Sequence, residues 1–245
     1  MGRIKFLNIQ IDNLTMEETL QEIERLVEKR ACSYLVTPNL DHIVNLEEDA
    51  EFAEAYQHAD LIVADGKPLI WISNWMKNPI KEKISGSDLF PKVCELAANR
   101  GYRVFLLGAA EGVAAKAAEN LRKKYPGLQI AGTYSPKFGF EKMPDELGKM
   151  RNILLEAEPD ILALALGSPK AEKYLYRHGK ENNIPLSISI GASVDFEAGK
   201  IKRAPRWMSE SGLEWLFRIT QDPKRLIKRY WRDAVKILPI IKKYR

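Results

Sequence analysis

The sequence points to an α/β protein: a Rossmann-like, mostly parallel sheet flanked by helices, with a basic C-terminal helical appendage. Three observations carry this. Short, nearly continuous apolar runs alternate with amphipathic stretches, as expected of strands covered by helices on both faces. Each run ends in small or polar residues, and open α/β sheets bind ligands at that end of their strands. The last 46 residues differ from the rest in charge.

In chain order, the segment from Asn13 to Glu18 has the pattern of a helix start, with Thr15 as cap and Glu18 three residues on. The first clear strand holds Leu35 and Val36 and leads into Thr37-Pro38-Asn39. Residues 61–64 end at Asp65-Gly66, and residues 103–107 at Gly108-Ala109. An Ala-rich helix over 112–124 stops near Tyr125-Pro126-Gly127. The run 161–166 ends at Gly167-Ser168-Pro169, where Pro169 is placed to open a helix. The fifth strand, 186–190, ends at Gly191-Ala192. These five strands form one core over about residues 1–200, followed by the appendage over 201–245. There is no internal repeat and no low-complexity linker.

Composition fits a single large globular domain: 245 residues, 45% hydrophobic and 29% charged. That excludes a disordered chain, a collagen-like repeat and a disulfide scaffold. Cys32 and Cys94 lie in segments of regular structure with no CxxC or histidine partner, which reads as buried thiols in a reducing compartment. The first residues lack a long apolar core, so no signal peptide is expected. No apolar run approaches the ~20 residues of a spanning helix. The expected location is therefore cytoplasmic. The net charge of +5 divides unevenly: residues 200–245 hold 14 Lys/Arg and 4 Asp/Glu, a net +10, so the rest carries −5. A basic tail on an acidic body implies an anionic partner.

The strand-end loops give the candidate site. Asp65, with Thr37, Asn39 and Gly108-Ala109 on the same rim, is a candidate general base toward a sugar hydroxyl. Gly108-Ala109-Ala110-Glu111-Gly112 precedes a helix, so its amides are candidate phosphate donors. It departs from GxGxxG, and no GxxxxGK[ST] occurs, which disfavours a nicotinamide dehydrogenase or epimerase and a P-loop enzyme. Lys170 and Lys173, after Gly167-Ser168-Pro169, offer either a solvated first turn or a cationic lip for diphosphate. No Asp-x-Asp occurs, Glu158-Pro159-Asp160 lies at the wrong end of the sheet, and His42, His58 and His178 lack metal-ligand spacing. No metal and no cofactor is expected. No GxSxG elbow supports a serine hydrolase. Beyond Pro223, Leu226, Ile227, Tyr230, Trp231, Ala234, Val235 and Leu238 make an apolar stripe among cations. Such a helix suits an anionic membrane surface, or packs on the domain or a second subunit.

Together the loops resemble the WecG/TagA/CpsF family of bacterial glycosyltransferases over nearly the whole chain. The blocks that carry the resemblance are Thr37-Pro38-Asn39, Asp65-Gly66, Gly86-x-Asp88-Leu89, Leu107-Gly108-Ala109, Gly167-x-Pro169-Lys170-x-Glu172-Lys173, Gly191, Ala198-Gly199, Arg203-Ala204-Pro205 and Gly212-Leu213-Glu214-Trp215-Leu216-x-Arg218. The resemblance implies transfer of a sugar, N-acetylmannosamine or a related hexose, from a UDP-sugar. The acceptor it implies is a polyprenyl-diphosphate-linked sugar, used in teichoic acid, enterobacterial common antigen or exopolysaccharide synthesis, with inversion and without a metal. It places the base at Asp65 and the sugar site at Thr37 and Asn39. Asp195 falls near the nucleotide base, and Gly66, Lys83, Ser168, Gly191 and Arg203 among the binding residues. From the appendage it brings Arg218, Arg225, Arg229 and Arg232 over the active site at the inner face of the cell membrane. Lys83 stands where many members carry Arg, and Ala171 where many carry Gln; the loop from Gly191 to Asp195 lacks the usual double glycine. These departures leave a UDP-glucose-type transferase of exopolysaccharide assembly as an alternative. The rival from another class, a nucleic-acid-binding protein using the tail, lacks a recognition motif, so no nucleic acid partner is expected. A homo-oligomer that buries the tail stripe would be an inactive storage form, released by membrane contact.

Overall fold

A two-stranded antiparallel hairpin opens the chain, β1 (Arg3–Phe6) and β2 (Ile9–Asp12). In this computed structural model, which describes residues 2–245 (for Arg206 and Glu210, the backbone), the predicted helix start is present. Thr15 Oγ1 accepts from the Glu18 N–H at 3.2 Å, and Glu18 accepts from the Thr15 N–H at 2.7 Å, capping α1 (Met16–Lys29). Next come β3 (Ser33–Val36), α2 (Leu40–Glu48), α3 (Ala50–Gln57), β4 (Leu61–Ile62), α4 (Lys67–Trp75) and α5 (Gly86–Arg100). The second half runs β5 (Arg103–Gly108), α6 (Val113–Lys124), β6 (Gln129–Tyr134), α7 (Pro144–Ala157), β7 (Ile161–Ala165), α8 (Lys170–His178) and β8 (Leu186–Ser189). Three short helices, α9 (Ser193–Glu197), α10 (Arg206–Glu210) and α11 (Glu214–Gln221), lead into α12 (Pro223–Tyr244).

The main sheet has the order β4-β3-β8-β7-β5-β6, and every neighbouring pair is parallel. The five predicted strands are all there. The sixth, β6, escapes an apolar-run criterion because it is an edge strand with every residue at least partly exposed. Its Gly132 makes room for a core ring: a Cβ there would lie 2.5 Å from Phe105 Cε2.

Alternation along the strands sorts the core into two layers. Tyr34, Val36, Phe105, Leu107, Leu162 and Leu164 face one side; Leu35, Val104, Leu106, Ile161 and Ala163 face the other. β8 departs from this pattern, with Leu186 and Ile188 on the second face but buried Ser187 and Ser189 on the first. From β3 the chain turns toward one sheet edge, and from β5 toward the other. The carboxyl ends of the strands between open on one crevice.

The tail is one 22-residue helix, and it splits its apolar residues between two faces. Leu226, Asp233, Ile237 and Ile240 are buried, and both isoleucines join the core layer beside α2. Each contributes about 2 kcal/mol by burial. Arg232 pairs with Asp41, Lys236 with Glu48, and Lys243 with Glu47 at 2.8 Å. The predicted stripe divides between the two faces, with Leu226 buried. Ile227, Trp231, Val235 and Leu238 are more than half exposed, with Trp231 at 74%, so the outward half of the stripe does not pack on the domain. No helix is long and apolar enough to cross a membrane among the described residues.

Candidate active site

The site begins where two loops are tied together. The Asp65 N–H donates to the Pro38 carbonyl at 2.8 Å, which sets the loop after β4 against the loop after β3. Asn39 then caps α2: its Oδ1 accepts from the Asp41 and His42 N–H groups at 3.1 and 3.4 Å. Gly66, at φ +99°, allows the sharp turn from Asp65 into α4, in a region that favours glycine. Asp88 gathers two cations nearby, Lys83 at 2.9 Å and Arg203, and also accepts from Ser85 Oγ at 2.6 Å. Those three partners hold its carboxyl at about 2 against the opposing effect of burial.

Two clefts meet at this point. One, about 960 Å3 and the more polar of the two, has mixed walls from the loops after β3, β4, β7 and β8 together with α11 and the start of α12. The other, about 490 Å3, is walled by Leu40, Pro68, Trp215, Ile219, Ile227 and Trp231. Asn39, Asp41, Asp65, Arg218 and Arg229 line both. Asp65 therefore stands at the junction of a polar and an apolar-walled cleft.

Electrostatics at the junction suit a base. Burial raises the Asp65 carboxyl to about 7; Arg218 and Lys83 oppose the rise, and Glu214 and Asp88 add to it. Arg218 is held by Glu214, with Nη2–Oε1 at 2.6 Å and Nε–Oε1 at 3.0 Å, and Ser209 Oγ donates to Glu214 Oε2 at 2.8 Å. Burial pushes the Glu214 carboxyl up, but Arg218, Ser209 and Lys83 outweigh it, and the group is ionised below its ordinary range.

Of the residues singled out in the sequence, Thr37, Asn39, Asp65, Gly167, Ser168, Gly191, Asp195, Arg218, Arg225 and Arg229 converge on the polar cleft. Gly66 and Lys83 line the apolar-walled one. Five others lie elsewhere. Gly108 is needed for strand packing: a Cβ would lie 2.5 Å from the Ala165 carbonyl. The Ala109 N–H donates to that same carbonyl at 2.9 Å, so it is not a free phosphate donor. Lys170 pairs with Glu141 at 2.8 Å and sits 4.8 Å from the Phe138 ring, away from both clefts. Arg203 is bound to Asp88, and Arg232 fastens α12 to Asp41 and Asn45. Pro169 takes the cap position of α8 instead of its first helical position.

Among the residues that line the clefts without a role in the sequence reading are His42, Glu172 and Glu214. Glu214 is one turn before Arg218, and its signals were the i,i+4 acidic spacing and its place in the block from Gly212 to Arg218. His42 is three residues after the Asn39 cap, the position that closes a capping box. Among the described residues, no group of three or more His, Cys, Asp or Glu side chains is placed to hold a metal ion.

Comparison with known proteins gives the family of the chain. A family model described as "Glycosyl transferase WecG/TagA/CpsF family" matches residues 4–245. An N-acetylglucosaminyldiphosphoundecaprenol N-acetyl-beta-D-mannosaminyltransferase of Bacillus spizizenii is 29% identical over 205 residues, 84% of this chain and 76% of that protein. A protein of the same name from Staphylococcus aureus strain MW2 is 27% identical over 227 residues, 92% of this chain and 87% of that protein. With the match spanning both the sheet and the α12 appendage, the chain belongs to the WecG/TagA/CpsF glycosyl transferase family and is a glycosyltransferase.

Proposed function

We propose that this enzyme transfers N-acetylmannosamine or a related hexose from a UDP-sugar to a polyprenyl-diphosphate-linked sugar, with inversion and without a metal. The observation that carries this reading is the position of Asp65, between a polar cleft that suits a nucleotide sugar and an apolar-walled cleft that suits a lipid-linked acceptor. The names of the two relatives supply the acceptor class. In this scheme the acceptor hydroxyl attacks the anomeric carbon, forming the new C–O bond as the bond to UDP breaks on the opposite face. Asp65 takes the hydroxyl proton, and UDP leaves with the bonding electrons. Arg218, Arg225 and Arg229, which reach the polar cleft from the tail, stabilise that charge where a metal otherwise would.

The outer face of α12 extends the scheme to the membrane. Ile227 and Trp231 line the mouth of the apolar-walled cleft and belong to the exposed row with Val235 and Leu238. Seated on an anionic bilayer at the inner face of the cell membrane, that row would bring the cleft to the lipid-linked acceptor. Deciding the reaction takes a panel of UDP-sugars incubated with and without a polyprenyl-diphospho-N-acetylglucosamine acceptor. Acceptor-dependent UDP release is expected. Sugar interconversion without acceptor would mean an epimerase instead and would reject the reading.

A further inference from the structure

The polar cleft that Asp65 lines also holds a histidine that the reaction scheme does not use. His42 is 8% exposed and lines that cleft together with Thr37, Asn39 and Asp65. Behind it the ring packs against Phe52 and Tyr56, with centroids 5.7 and 6.2 Å away. Its Nδ1 accepts from the Asn39 N–H at 2.9 Å. An imidazole whose Nδ1 accepts a backbone N–H carries its single proton on Nε2 when neutral. Burial lowers the proton affinity of His42 and Arg229 adds to that, while Glu172 and Asp41 oppose it. The ring is thus a fixed, neutral donor with no freedom to exchange its tautomer.

The ligand atom it meets follows from the surroundings. Asp65, if it is the base, fixes the anomeric carbon near the loops after β3 and β4, and His42 stands on the first turn of α2 from the same loop. Resting on the donor-pocket reading above, we propose that His42 is a specificity-determining residue whose Nε2–H donates to an oxygen of the transferred sugar, either a ring hydroxyl or an acetamido carbonyl. A neutral donor binds either oxygen without attracting a second phosphate or repelling Arg229.

The test is equilibrium binding of UDP, UDP-N-acetylmannosamine and UDP-mannose to the full-length wild type and to His42→Gln. Glutamine at this position can still close the capping box on the Asn39 N–H, so the helix start is retained. A second variant, His42→Phe, keeps the aromatic packing and loses the donor. His42→Phe is expected to bind UDP with wild-type affinity and UDP-N-acetylmannosamine on the order of tenfold more weakly, the size of one lost hydrogen bond in a desolvated site. His42→Gln, whose amide keeps both the cap acceptor and an N–H donor, is expected to recover part of that loss. A loss confined to the acetamido sugar assigns the carbonyl; an equal loss for UDP-mannose assigns a hydroxyl. Unchanged sugar-nucleotide binding in His42→Phe, or equal weakening of UDP itself, would overturn the proposal and leave His42 as a helix cap. The transferase reading fails separately: a wild type that binds the sugar nucleotide but releases no UDP on adding acceptor would reject the reaction while keeping His42 as a sugar contact.

Discussion

Asp65 combines two properties that are opposed energetically. Its carboxyl is raised to about 7, chiefly by burial, so much of it holds a proton at neutral pH. A base must be ionised to work, and the rate of acceptor-dependent UDP release should therefore fall on the acid side with a midpoint near pH 7, where an ordinary aspartate would show about 4. The same shift acts on stability. Because the folded-state value is raised, the contribution of Asp65 to folding is greatest below about pH 4 and is lost as pH rises through 7. Asp65→Asn should consequently raise Tm relative to wild type at pH 8 and change it little at pH 4; an equal change at both would contradict the shift. Gly108 makes the complementary case of a strand-end residue, read from the sequence as a phosphate donor, that has a packing role. Gly108→Ala places a Cβ 2.5 Å from the Ala165 carbonyl at φ +114°, and urea melts should show a loss of about 2–4 kcal/mol.

Secondary-structure elements were legible in proportion to how far they obey one period. The capping box at Thr15 and Glu18, and the central strands with their doubly buried apolar runs, could be read directly. The hairpin β1–β2 and edge strand β6 could not, since partly exposed strands carry a weaker apolar signal. α12 shows a different limit. A helical wheel finds its apolar residues but cannot say which of two adjoining arcs meets the domain, and here Leu226, Ile237 and Ile240 turn inward while Ile227, Trp231, Val235 and Leu238 turn out. The two arcs can be separated by substitution. Trp231→Ala should leave Tm unchanged and reduce co-sedimentation with phosphatidylglycerol vesicles several-fold. Ile237→Ala should cost about 3 kcal/mol of stability by opening the α2 contact. Unchanged vesicle binding in Trp231→Ala would reject the outer arc as the membrane contact. At the site, Asp65 and its neighbours were readable because strand-end loops converge in an open α/β sheet. His42 and Glu214 were not assigned, since a capping-box position and an i,i+4 spacing do not say which side chains face a cleft.

Over the whole molecule, the charge asymmetry between a −5 body and a +10 tail has more than one use. Arg232, Lys236 and Lys243 are spent on α2, against Asp41, Glu48 and Glu47, and so hold the tail in place. Arg218, Arg225 and Arg229 enter the polar cleft. Lys224, Lys228 and Lys242 remain exposed and outside those pairs, and Arg245 lies over the Trp75 ring at 4.4 Å. The appendage thus fastens to the body, adds cations to the cleft and presents an apolar row beside its mouth. All of this turns on Asp65 acting at the junction of the two clefts, and the most direct test is Asp65→Asn, assayed for acceptor-dependent UDP release and for UDP binding in the same preparation. The account predicts a rate at least a thousandfold lower, on the order expected for loss of a catalytic base, with UDP affinity within twofold of wild type. A variant that turned over at near wild-type rate, with UDP binding intact, would contradict it.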